Sequence, residues 1–344
     1  MDPLTHAVMG ATVAAFVAQE EDMRRAALVG AVAGVLPDLD VLISDANDPL
    51  LQLEMHRQFS HSLLMAPVIG AVVAVAVRFM LKSTSIVRLW TFATLAVLSA
   101  CLLDAGTSYG TQLLWPFNTE RIAWNVVAVV DPVFTLLVIV SLVVLLLRRS
   151  GTIAAVGVAL AGLYLVSASV QNQRAEWAVR SLADQRAHTI EAIHVKPTIA
   201  NQIVWRSVYK ADGRFWVDAV RTGIFVDILA YPGGSIAMPQ SEDTANLTDR
   251  QKTDLERFSV LSNHFIVQHP NHPRVFGDAR YAMNPDGIAP LWGIELADTR
   301  IHDAEVIWRT FREFDDRDRY RFMAMIMGDT LEPREFIPTL TTEK

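Results

Sequence analysis

Long apolar runs constrain this chain most, because a stretch without charged side chains must cross a bilayer or fill a core. Four runs of roughly 15–20 mostly apolar residues approach the length of a full span: Leu63–Leu81, Leu89–Leu103, Val133–Leu147 and Ile153–Val170. Two more, Leu4–Ala18 and Ala26–Ile43, are shorter or broken by glycine and Pro37. They read equally as full spans, re-entrant halves or helices packed against a bundle. Every such run lies before residue 171. The first 170 residues hold 12 acidic and 9 basic side chains, while the rest of the 344-residue chain holds 25 and 21. The expected architecture is therefore an α-helical multi-pass membrane domain of four to six apolar helices (1–170), followed by a mixed α+β soluble domain (171–344).

Basic residues choose the orientation. Arg24 and Arg25 separate the first two runs, Arg78, Lys82 and Arg88 separate the next pair, and Arg148 and Arg149 separate the last pair. These are seven of the nine basic residues in this half, all on alternate turns, which the positive-inside rule places in the cytoplasm. His6, Asp38, Asp40, His56, Arg57, His61, Asp104, Asp131 and the whole second domain then share the outer side, as in an inner-membrane protein with an extracytoplasmic tail.

The net charge of −7 and the lack of a Lys/Arg cluster argue against nucleic acid as a partner. Cys101, the single cysteine, excludes an internal disulfide and a thiolate zinc site, and reads as a small hydrophobe. Asp2, with no basic stretch before the first run, argues against a cleaved signal. In the second half, Ile190–Ile199, Gln202–Lys210 and Arg214–Phe225 read as strands, with a hairpin turn at Lys210–Gly213. Asp254–Gln268 and Asp315–Met327 read as helices, and the Pro/Gly-rich stretches 231–240 and 270–290 as loops.

Histidines and carboxylates at the mouths of apolar helices are the raw material of a metal site. Asp38 and Asp40 follow Pro37, expected to end a helix, where acids meet the negative pole of the dipole and want a cation. Asp104 closes its run in the same unfavourable way. His56, Arg57 and His61 sit just before the third run; on a helix Arg57 and His61 would share a face, with His56 at its start. Imidazole for a metal and guanidinium for a phosphoryl or carboxylate oxygen make a coherent pair. Thr107 and Ser108 are open between substrate binding and capping a turn. Asp2 and Asp131 each precede a proline and read as helix caps. Trp115, Phe117 and Trp124 read as an interfacial belt, and His264, His269 and His272 fit no metal motif.

In their order, Met-Asp-Pro-Leu-Thr-His-Ala (1–7), Gly-Val-Leu-Pro-Asp-Leu-Asp (34–40), His-Arg-Gln-Phe-Ser-His-Ser (56–62), the stretch from Leu102 to Phe117 and Val-Asp-Pro-Val-Phe-Thr (130–135) resemble the YdjM-type family of membrane-bound metal-dependent hydrolases. Asp-Ala-Arg-Tyr (278–281) and Leu-Trp-Gly-Ile (291–294) resemble its long-tailed branch. The resemblance implies His6, Asp38, His56, His61 and Asp104 as metal ligands, and kinship with zinc-dependent phospholipase C and P1-type nucleases. It also implies a histidine four residues before the acid matching Asp104, where this chain has Ala100.

The leading expectation is a phosphoester hydrolase with one or more divalent metals, Zn²⁺ first among them, acting on a membrane lipid head group. Asp40 is expected as a ligand or general base and Arg57 as the group that steadies phosphoryl oxygens. The alternative is a non-catalytic, metal-stabilised scaffold whose soluble domain binds a partner. A transporter ranks below both, because the charges lie at the ends of the runs.

Overall fold

The computed structural model describes residues 1–240, 247–297 and 306–333. It divides into two compact units. The first comprises Met1–Ile43, Glu54–Val170 and Ile199–Asn201; the second comprises Ser44–Leu53, Gln171–Thr198 and the chain from Gln202 onward.

The first unit is helical: α1 (Pro3–Phe16), α2 (Met23–Val35), α4 (Ala66–Arg78), α5 (Ile86–Gly106), α6 (Pro132–Arg148) and the start of α7 (Gly151–Gln185). Its interior is lined by small side chains such as Ala14, Ala26, Ala33, Ala93 and Ala96, while Val72, Phe79, Leu136, Leu160 and Leu163 point outward. Small residues inside and large apolar ones outside suit a bundle whose solvent is lipid. Among the described residues, only α5 and α7 are long and apolar enough to cross a bilayer alone; the bent pair of α4 and the segment before it raises that count to three. At 13 residues, α4 reaches only about 20 Å, short of the ~30 Å hydrocarbon core.

Asp2 and Asp131 cap α1 and α6, accepting from the backbone N–H of Thr5 and Phe134. Cys101 is buried among apolar neighbours on α5. The segment after α2 differs from a simple helix end: Pro37 opens a 3-10 helix, Leu36–Leu42, that carries Asp38 and Asp40 inward.

Glycines set the contact between α1 and α2. A Cβ on Gly10 or Gly30 would strike the other's carbonyl, and one on Gly34 would lie 2.5 Å from the carbonyl oxygen of His6. This close approach brings His6 to the 3-10 helix. Gly34→Val is therefore expected to cost about 1–3 kcal/mol through overpacking, read as a lowered midpoint of thermal unfolding. An unchanged midpoint would show that the contact between α1 and α2 has room for the larger side chain.

The second unit holds two four-stranded antiparallel sheets, ordered β1-β2-β3-β4 and β5-β6-β7-β8. The strands are β1 (Ala192–Pro197), β2 (Val204–Ala211), β3 (Arg214–Arg221) and β4 (Leu229–Ala237), then β5 (Ile266–His269), β6 (His272–Asp278), β7 (Trp292–Glu295) and β8 (Ile307–Thr310). Asp212 and Gly213, both at positive φ, form the expected hairpin turn. Val208, Phe215 and Val217 of the first sheet pack with Phe265, Val267 and Ile288. Arg206 fastens the loop beyond β6, donating to the carbonyls of Ala279, Arg280, Asn284, Pro285 and Gly287. The helix α3 (Pro49–Met55) contributes Leu50 to the core beside Leu255 and Phe258.

Three local expectations are corrected. The stretch 231–240 is mostly strand β4 and 270–290 contains β6. The helix expected at Asp254–Gln268 is α8 (Asp249–Leu261), and β5 takes its final residues. The last helix, α9 (Asp316–Met327), lies as expected.

Candidate metal centre

Four chain segments of the first unit converge on one buried point. His6 comes from the first turns of α1, Asp38 from the 3-10 helix, His61 from a short 3-10 turn (Phe59–His61), and Asp104 from the last turn of α5. His6, Asp38 and Asp104 each offer a ligand atom within 4.8 Å of the others. His6 Nε2 is 3.2 Å from Asp104 Oδ1 and 3.9 Å from Asp38 Oδ2. His61 Nε2 faces the same two carboxylates, 3.4 Å from Asp38 Oδ1 and 2.9 Å from Asp104 Oδ2.

His61 Nε2 and Asp104 Oδ2 are fully buried and face each other at 2.9 Å, yet neither makes a hydrogen bond of regular geometry among the described residues. A buried imidazole nitrogen facing a buried carboxylate oxygen needs a shared positive charge, a proton or a metal, to satisfy both. A divalent cation does so, and two imidazoles with two carboxylates are a donor set that zinc accepts. The residues present fit a metal. The Met1 amino group lies in the same place, 3.0 Å from His6 Nε2 and bonded to Asp104 Oδ1.

Asp40 stands one layer back. Its Oδ1 pairs with His56 Nδ1 at 2.7 Å, and its Oδ2 accepts from the backbone N–H of Arg57 at 2.9 Å and from Ser60 Oγ. The same Oδ2 is 3.3 Å from His61 Nδ1. Burial works against the charge of Asp40, but hydrogen bonding with His56, His61 and Ser60 outweighs it and holds the carboxyl well below its ordinary range. A carboxylate behind the far nitrogen of an imidazole fixes its tautomer and aims its near nitrogen at a metal. His56 is joined to Asp40, and its ring meets that of His61 edge to face, with 6.0 Å between centroids.

Arg57 has left-handed backbone, φ +60°, so the helix on which Arg57 and His61 would share a face, with His56 at its start, does not form. His56 instead follows α3, and the irregular turn throws Arg57 inward, where Nη2 pairs with Asp104 Oδ1 at 3.0 Å. Its Nη1 donates to Thr107 Oγ1 at 2.7 Å, and that hydroxyl donates to the Asp104 carbonyl at 2.7 Å. Thr107 thus closes the end of α5, and Ser108 is buried next to it. The cation wanted at this negative helix pole is, in part, Arg57. Ala100 is buried one turn before Asp104 on α5.

Two further residues support the turn and had no motif to announce them. Arg121 donates to the carbonyls of His56 (3.1 Å), Gly110 (3.3 Å) and Glu54 (2.8 Å). Tyr109 packs its ring beside Arg57, Arg121 and His56, with centroid distances of 5.3–5.5 Å. The available signal was scarcity: apart from the seven basic residues on alternate turns, this half contains only Arg57 and Arg121.

The sequence pattern of the family described as "YdjM inner membrane protein" matches residues 1–175, which contain every residue of this centre. The "Uncharacterized protein YfhP" of Bacillus subtilis (strain 168) is 26% identical over 227 residues, 63% of this chain and 67% of its own. "Inner membrane protein YbcI" of Escherichia coli (strain K12) is 30% identical over 130 residues, 37% of this chain and 75% of its own. No solved structure matches the chain significantly.

Proposed function

Since the chain belongs to the YdjM family of inner membrane proteins, we propose that it is a membrane-bound, metal-dependent hydrolase acting on a phosphoester such as a lipid head group at the outer membrane face. The observation that carries this reading is the convergence of His6, Asp38 and Asp104, with His61 Nε2 facing the same two carboxylates at 3.4 and 2.9 Å. Those four would hold the ion. Bound there, zinc supplies Lewis-acid chemistry, activating water near neutral pH and offsetting charge on a phosphoryl group.

The remaining residues position and compensate. Asp40 keeps the His61 ring in place, and His56 and Ser60 keep Asp40 in place. Arg57 neutralises part of the carboxylate charge, and its Nε, unpartnered among the described residues, is a further donor for a phosphoryl oxygen. Seven basic residues on alternate turns support a cytoplasmic placement of those turns and an outer placement of the centre. A head group is the phosphoester present at that depth.

Purified protein in phospholipid vesicles is expected to release a water-soluble head-group product when zinc is supplied, and to stop when a chelator removes it. His61→Ala should show no release. A protein that binds zinc stoichiometrically yet cleaves no phosphoester in a broad panel would remove the hydrolase reading.

One feature favours a second reading. The centre ties together α1, the 3-10 helix, the 56–61 turn and α5, as a structural staple would. In a metal-stabilised scaffold whose second unit binds a partner, His61→Ala would lower thermal stability while the wild type showed no hydrolysis.

A further inference from the structure

The β3–β4 connection carries an apolar tip in the second unit. Ile224, Phe225 and Val226 follow one another there, with Ile224 66% and Phe225 96% exposed. Side chains of this size are rarely left so open on a polar, water-facing loop, and here two of them are adjacent.

The loop is tied to one height along α7. Arg174 donates from Nη1 to the carbonyl of Gly223, the residue just before the tip, and at 3.1 Å to Gln171 Oε1. Arg174 lies four residues beyond Val170, the last residue of the apolar run that begins at Ile153. Those 18 residues of continuous helix measure about 27 Å, close to a bilayer's hydrocarbon thickness. The tether is then about 6 Å above the hydrocarbon edge, within the head-group zone.

A second observation marks the same height. Trp177 lies one turn beyond Arg174, about 60° away around the helix axis, and is largely exposed. Helical side chains lean toward the helix N-terminus, which for α7 is the direction of the bilayer. Exposed tryptophan just beyond an apolar span is the pattern of an interfacial anchor.

We propose that Ile224, Phe225 and Val226 form a lipid-inserting loop that enters the boundary between head groups and acyl chains beside α7. Its occupant is phospholipid, chosen by the height of the loop's tether at the end of a membrane-crossing helix and by the three successive apolar residues at its tip, with the exposed Asp227 after them on the head-group side. The inference rests on α7 as a span and is independent of the metal centre and of any hydrolase activity.

The test uses the full chain in phosphatidylcholine–phosphatidylglycerol vesicles. In a Cys101→Ala background, Phe225→Cys is labelled with an environment-sensitive fluorophore, and nitroxide groups are placed near the glycerol end of the lipid acyl chains. Asp212→Cys, on the exposed turn at the opposite end of β3, serves as the reference in the same background. The label at position 225 is expected to show blue-shifted emission and several-fold stronger nitroxide quenching than the label at 212. Water-like emission and equal quenching at both positions would overturn the proposal. Blue-shifted emission without lipid quenching would also overturn it, because the tip would then be covered by protein.

Discussion

Asp104→Ala is expected to abolish metal-dependent hydrolysis and to lower fold stability by about 3–5 kcal/mol, the scale of breaking a buried ion pair by deleting one member. Asp104 is the side chain on which the centre converges, within 3.2 Å of His6 Nε2, His61 Nε2 and Arg57 Nη2. Its removal takes away a proposed carboxylate ligand and leaves the Arg57 guanidinium buried without its counter-ion. Asp104→Asn separates the two effects, because an amide retains an acceptor for Arg57 and is a far poorer metal ligand. Thermal unfolding should then show a smaller loss for Asn than for Ala, with hydrolysis absent in both. Full activity in either variant would place the chemistry elsewhere.

Asp40→Ala is expected to act differently. The carboxylate contacts no proposed metal position but lies 3.3 Å from His61 Nδ1 and engages His56, Ser60 and the Arg57 backbone. Losing such an outer carboxylate typically weakens metal affinity 10–100-fold, roughly, by freeing the ring it orients. A zinc titration against a competing chelator should show that shift, with the stoichiometry at saturating zinc unchanged. Loss of stoichiometry would make Asp40 a ligand; unchanged affinity would leave His61 needing no support from it.

Regular patterns were legible in the sequence wherever one local signal decided the outcome. The apolar runs located α1, α2, α4, α5, α6 and α7, and Asp-Gly located the β2–β3 turn. The failures came where tertiary context overrode local chemistry. Pro232, Gly233 and Gly234 signal a loop, yet they lie in β4, an edge strand, where a missing N–H can face away from the sheet. Pro273 is tolerated in the interior strand β6 because it lies near the strand's start, before the pairing with β7 begins at Val275. The start of α8 lies at the capping box Thr248–Gln251, ahead of the apolar residues from which the helix was expected to begin at Asp254.

The candidate centre was legible in membership more than in geometry. His6, Asp38, His61 and Asp104 lie at the ends of apolar runs, and their residue types mark them. The division of labour between Asp38 and Asp40, or between His61 and His56, depends on which side chain a turn directs inward. For the aspartates the directing segment is the 3-10 helix Leu36–Leu42; for the histidines it is a turn that hinges on the positive φ of Arg57, a conformation that no residue around it announces.

Elemental analysis of the purified protein tests the metal centre most directly, with wild type compared beside His61→Ala and Asp104→Ala. The wild type is expected to carry a divalent metal, zinc foremost, in stoichiometric amount, and both variants are expected to lose that same metal. Residues 43 positions apart in the chain would then share one ion. A wild type that binds no metal even when zinc is supplied, or variants that both retain it fully, would contradict the account.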